Sequence, residues 1–319
     1  MNQYKTILRP ILLLCFFYVN VVISNAQNNE DAFFIKKIYE TALSESSAYT
    51  WLTHLSENIG GRLAGSPNST KAENYTQRIL DSLGVSSTFR QECNTTYWNR
   101  KTESTVNMYL SDNAKVLLTS TSLGNTVGTN NKEIKAEVIE VQGLDDLDEL
   151  GEEAISGKIV FFNRPMDPTL INTFNAYGGA VDQRVFGASR ASKYGAVAVL
   201  VRSMTNKIDD VPHTGTSIYE GDVVKIPSVA ISTMAANLLS ETLAGNPRIE
   251  IGLSNDNEMI PNQKNYNIIG EWKGSENPEK IIVVGGHLDS WDLAGGAHDD
   301  GAGCMQSIAV VEIFKKLNY

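Results

Sequence analysis

His287 and Asp299 combine side-chain types and a setting that could do chemistry. They lie in the stretch Gly285–Gly303, GGHLDSWDLAGGAHDDGAG, which also carries Asp289, Asp292 and Asp300. A neutral imidazole is a good nitrogen ligand for zinc, and carboxylates suit the same metal. A carboxylate has two oxygens, so Asp299 could bridge two ions about 3.5–4 Å apart, the spacing of two-metal hydrolase sites. Asp289 follows His287 too closely to reach the same ion easily from an extended strand end. It can accept a hydrogen bond from the other ring nitrogen and fix the tautomer. Asp300, Gly301 and Gly303 read as cap and close-packing residues of a helix start. Plainer readings exist for each residue. A short His-x-Asp occurs by chance, Asp299-Asp300-Gly301 could be an Asp-rich turn, and His298 reads as a loop residue.

The elements expected to hold these residues flank them. Ile281, Ile282, Val283 and Val284 form an unbroken apolar run, the pattern of a parallel strand buried on both faces. Gly285-Gly286 ends it, which would set His287 at the strand's C-terminal rim, where open α/β sheets bind ligands. Tyr266–Trp272 reads as its neighbour. After the acidic loop, apolar Met305, Ile308, Ala309, Val311, Ile313 and Phe314 predict a helix from about Gly301 to Leu317.

Upstream, helical spacing over Asp31–Leu55 predicts two helices broken near Ser44–Ser47. Ser66-Pro67 is an N-cap and first-turn pair for a helix that stops at Gly84. Thr105–Leu110 reads as a strand. Between about Asn113 and Asn255 short strands become frequent: Val116–Leu118, Ala136–Val141, Lys158–Phe162, Ala196–Val201, Ser228–Ile231 and Arg248–Gly252. Helices over Gln183–Tyr194 and Met234–Leu243 interrupt them. His213 in this region reads as a loop residue.

The 319 residues suit two domains, and 42% hydrophobic with 20% charged residues describes a soluble globular protein. A formal net charge of −10 argues against a nucleic-acid binder. Lys5 and Arg9, the apolar Ile11–Ile23 and the small residues Ser24-Asn25-Ala26 read as a signal peptide over 1–26, hence a secreted, periplasmic or extracellular protein without stable membrane insertion after cleavage. Cys93 and Cys304 then remain, too few for a disulfide framework and read as free thiols. Asn68, Asn74 and Asn94 begin sequons whose cap and loop readings are preferred.

On these residues the chain resembles the zinc-dependent M28 peptidases, and within them the carboxypeptidase Q (plasma glutamate carboxypeptidase) branch. The resemblance rests on GGH-x-DSWD followed by GA-x-DDG, from Gly285 to Gly301. It extends over Asn58–Gly84 and Tyr177–Ile231, with Gly178-Gly179-Ala180, Ser189-Arg190-Ala191 and Ile226-Pro227-Ser228-Val229. It implies an α/β fold: a zinc-peptidase-like mixed sheet flanked by helices, incomplete here, with an inserted protease-associated α+β domain. The implied layout is a catalytic first part over 27–112, the protease-associated domain over 113–255 and a catalytic second part over 256–319. The resemblance makes His287 a ligand to one of two zinc ions, Asp299 the carboxylate bridging both and Asp289 the residue orienting His287. It also implies a Glu-Glu pair, one glutamate serving as general base, and a further Asp and His, all downstream of Asp299. Glu152-Glu153 lies in the inserted part and Glu312 is alone and too early, so the chain is expected to be an inactive N-terminal portion. The implied reaction is exopeptidase hydrolysis of dipeptides or small peptides by a metal-activated water, with a homodimer left open. An aminopeptidase and a non-catalytic secreted binding protein are the alternatives. Trp291 could line a substrate pocket or pack beneath the loop, and Arg62 reads as a structural salt bridge or loop anchor rather than a contact to substrate carboxylate.

Overall fold

The computed structural model describes residues 30–111 and 113–318. The expected signal peptide lies outside them. No helix among the described residues is long and apolar enough to cross a membrane.

The two N-terminal helices form as the spacing predicts. Helix α1 spans residues 30–45, and α2, Ala48–Thr53, continues as a π-helical turn over His54–Ile59. Helix α3, Pro67–Leu83, is set by its ends. The Ser66 side chain accepts from the Ser69 amide, Pro67 opens the first turn, and Gly84 closes the helix at φ +66°.

Next come β1 (Ser87–Ser111), β2 (Ala114–Leu118), β3 (Ser120–Ser122) and β4 (Ile134–Val141), then α4 (Asp145–Ile155) and β5 (Ile159–Phe162). Helices α5 (Thr173–Gly178) and α6 (Val181–Ser192) precede β6 (Ala198–Arg202) and β7 (Ser228–Ile231). Helix α7 (Thr233–Gly245) leads into β8 (Glu250–Glu271), and α8 (Ala302–Leu317) closes the fold. The strands make one mixed sheet, in the order β2-β1-β8-β4-β5-β6-β7-β3. Strands β4 to β7 are parallel, while β8 runs antiparallel to both β1 and β4.

The central parallel strands are buried on both faces, so they read as continuous apolar runs. Val160, Phe162, Val199 and Val201 face α4, α5 and α6 through Leu147, Ile155, Ala176, Ala188 and Ala191. Ile159, Phe161, Ala198 and Leu200 face the other way, onto α7 and the inner parts of β1, β2 and β8. A third core is separate. Leu55, Ala72, Ile79, Leu80 and Leu83 pack against Cys304, Met305 and Ile308 of α8. Among the described residues, β1 and β8 are the strands that run from the first two cores to the third, paired from Ser87–Glu271 to Tyr109–Glu250.

One expected element is absent. Residues 281–284 form no strand, and Ile281, Ile282 and Val283 are 79%, 90% and 86% exposed. A doubly buried strand needs neighbours along its edges and layers on its faces. Among the described residues the run has neither, so it forms no ladder and stays exposed. His287 therefore follows an open segment rather than a sheet rim.

Glu312 fastens α8 to α2. Its buried carboxylate accepts from the Ser47 amide at 2.9 Å and the Ser47 hydroxyl at 2.6 Å, with Lys316 Nζ at 3.2 Å. Burial alone would raise its pKa, but Ser47 and Lys316 outweigh burial and hold it below the usual carboxylate value. A depressed acid stabilises the fold above its unfolded pKa and loses that contribution as pH falls through the folded one. Glu312→Ala should therefore cost about 1–3 kcal/mol near neutral pH. In urea titrations the difference from wild type should shrink towards acid pH.

Candidate metal centre

His287 and Asp299 meet. The imidazole Nε2 lies 2.8 Å from Asp299 Oδ1. On the other side of the ring, Nδ1 is 3.1 Å from the Asp289 carbonyl oxygen and 3.3 Å from Asp289 Oδ1. Asp300 does not cap α8 with its side chain. Its Oδ2 accepts from the His287 amide at 3.2 Å, in space that Gly286 and Gly303 leave free. His298 is exposed and lies in a π-helical turn, Ala297–Gly301, rather than in the loop the sequence suggested. The Asp299–Asp300 peptide is cis.

This geometry constrains protonation. If Nδ1 donates to Asp289, a neutral ring presents a bare lone pair at Nε2. That lone pair would face an ionised carboxylate oxygen, and two acceptors at this distance need a cation between them. A proton on Nε2, donated to Asp299 Oδ1, also meets that need. Partial burial would lower the His287 pKa, but the Asp299 hydrogen bond and the charges of Asp289 and Asp299 raise it overall. A metal ion would have to displace that proton.

The donor set suits zinc in kind. Two donors on one tetrahedral ion at about 2.0–2.2 Å stand about 3.3–3.6 Å apart, so the pair at 2.8 Å would have to open by about half an ångström to share one. It is short in number, since among the described residues no group of three or more His, Cys, Asp or Glu side chains is arranged to hold a metal. Cys304 adds nothing. It is buried, and burial followed by the Asp300 charge pushes its thiol up to about 11. Cys93 is also free, but exposed.

Arg62 organises the loop that carries the ligands. Its guanidinium is fully buried and bonds only to carbonyls. Nε donates to Leu288 O at 2.5 Å, Nη1 to Gly295 O at 2.6 Å and Gly60 O at 3.2 Å, and Nη2 to Gly296 O at 2.9 Å. Its backbone also pairs with Ser290. Gly296 turns at φ +58° against Ser290 and Arg62, a place with no room for a Cβ. Burial lowers the Arg62 pKa, opposed by Cys304 and Asp289, yet a guanidinium stays charged in proteins. Arg62 is thus the loop anchor expected from the sequence.

The loop's middle is held from another side. Asp292 pairs with Arg100 of β1 at 2.6 Å and 3.2 Å, and the Trp291 indole packs on Gly124. Trp291 therefore packs against the sheet region. The sequence reading missed Arg100, because nothing local marks a cation whose partner is 192 residues away.

Comparison with known proteins agrees with this architecture. Residues 267–319 match Peptidase family M28. Carboxypeptidase Q of Xenopus laevis is 35% identical over 274 residues, which cover 86% of this chain and 56% of that protein. A peptidase M28 precursor from Shewanella amazonensis SB2B superposes with a TM-score of 0.82 at 30% identity, covering 89% of this chain and 63% of the other. A zinc aminopeptidase from Bacillus subtilis shares the fold at a TM-score of 0.57 and 23% identity, covering 84% and 57% of the two chains. Over most of its length the chain is thus similar to M28 peptidases, with the family match itself on residues 267–319. Within them it is carboxypeptidase Q-like, and it spans about half the length of the curated relatives it matches.

Proposed function

We propose that the chain supplies part of the active site of a secreted zinc exopeptidase acting on dipeptides or small peptides. The observation that carries this is the His287–Asp299 pair at 2.8 Å with Asp289 behind the ring. His287 and Asp299 would hold the zinc, Asp299 being the carboxylate able to reach a second ion, and Asp289 would fix the imidazole so that Nε2 is presented to it. Arg62 holds both ends of the intervening loop, which keeps the two donors aimed at one point. Bound zinc supplies Lewis acidity towards a peptide carbonyl and acidifies a water molecule. The glutamate base and further ligands that the family resemblance implies would complete the site, and the activity proposed is that of the whole protein.

The domain layout proposed with it is a catalytic part over 27–112 and 256–319, with a protease-associated domain over 113–255. The separation of the helical core from the two sheet cores supports it, as does the passage of β1 and β8 between them. Residues 1–26 support secretion through their signal-like pattern.

The test is dipeptide hydrolysis by the product of the complete open reading frame. Turnover that a chelator abolishes and added zinc restores is the expected result. No turnover by zinc-loaded, folded protein would overturn the enzyme reading in favour of a binding protein. Peptides blocked at either end then separate carboxypeptidase from aminopeptidase action.

A further inference from the structure

We propose that Arg100 and Gly124 are positioning residues for the metal loop, through which the sheet region over 113–255 sets the place of Trp291 and Asp292. The inference rests on the peptidase reading above.

Arg100 is built into a junction. Its side chain is 4% exposed, and all five N–H donors are engaged. Nε and one Nη2 hydrogen grip Asp292, which is itself 24% exposed. Nη1 donates to Thr121 Oγ1 at 2.7 Å and Ser122 O at 2.9 Å, both on β3. The second Nη2 hydrogen reaches Thr214 Oγ1 at 3.2 Å, and that hydroxyl donates to the same Ser122 carbonyl. The guanidinium lies over the Trp98 ring at 4.8 Å. Beside this fork, Gly124 donates its amide to Gly215 O at 2.7 Å and presents a bare face to the Trp291 indole. Thus β1, β3 and the loop around 214 grip two adjacent residues of the loop that joins His287 to Asp299.

The division of labour follows from which atoms are held. Arg62 holds Leu288, Gly295 and Gly296, next to the two proposed ligands. Arg100 and Gly124 hold only Trp291 and Asp292. Loosening the junction should leave the ligands in place while freeing the middle of the loop, which stands between the His287–Asp299 pair and the sheet region. Substrate seating should suffer, whereas metal affinity should not.

Two variants test this in the product of the complete open reading frame. Arg100→Lys keeps the charge but cannot reproduce a five-donor fork. Gly124→Ala removes no polar group, its φ lies outside the left-handed region, and the added methyl would press first on the Trp291 indole. For each we expect kcat/KM on a dipeptide to fall about tenfold or more, carried by KM, equivalent to about 1.4 kcal/mol or more. The zinc dissociation constant should stay within about twofold and the cobalt-substituted absorption spectrum should be unchanged. Amide exchange over residues 290–294 should accelerate, with α8 unaffected. Wild-type kinetics and exchange in both variants would overturn the inference, as would loss of zinc together with activity. If wild-type protein hydrolyses no peptide, the function reading fails while amide exchange still decides this one.

Discussion

Arg62→Ala is expected to destabilise this protein by about 3–5 kcal/mol, since several buried carbonyls lose their donor at once. The guanidinium serves four carbonyls on two segments, Gly60 on one side and Leu288, Gly295 and Gly296 on the other. Each buried acceptor left bare costs about 1–3 kcal/mol, partly relieved where water enters. Set against a total stability of about 5–15 kcal/mol, the loss is large. Lysine should recover only a minor share, because one ammonium cannot reach four carbonyls set around a planar fork. Urea unfolding measures the effect, and a loss below about 1 kcal/mol would refute the anchoring role.

Asp299→Ala and His287→Ala should each weaken zinc binding by about 100-fold or more, because a ligand's share of the binding free energy goes with it. Asp289→Asn should cost less, about 10–100-fold, since it disturbs only the orientation of His287. The ranking matters more than the individual values. His287 Nε2 and Asp299 Oδ1 converge on one point 2.8 Å apart, and removing either side chain removes one of the donors that would hold a metal there. Competition with a chromophoric chelator gives the affinities. Equal losses at all three positions would contradict the assignment of Asp289 as an orienting residue. Unchanged affinity in Asp299→Ala would move the metal elsewhere.

Local signals gave α1, α2, α3, α6, α7, α8 and the inner strands, whereas α4 and α5 went unread. Ser66, Pro67 and Gly84 mark the ends of α3, and the apolar runs in β5, β6 and β7 show strands closed in by layers on both faces. The length of β1 and β8 was not legible. Their outer halves form a ribbon with solvent-facing polar residues such as Gln91, Glu92, Asn94 and Lys264. No alternation of apolar and polar residues announces such a strand. The run Ile281–Val284 misled in the opposite sense, because apolar composition states a preference for burial without supplying the neighbours that satisfy it. Asp300 looked like a helix cap, but the His287 amide claimed its carboxylate instead.

Residue types and short spacings alone determined that His287, Asp289 and Asp299 could form a metal centre, because ligand chemistry and loop length are local properties. Tertiary structure alone decided that Arg62 grips the ends of their loop and Arg100 its middle. Those contacts join positions 192 to 234 residues apart. Which carbonyl or carboxylate a buried guanidinium meets depends on how whole elements pack, and no neighbouring residue along the chain encodes it.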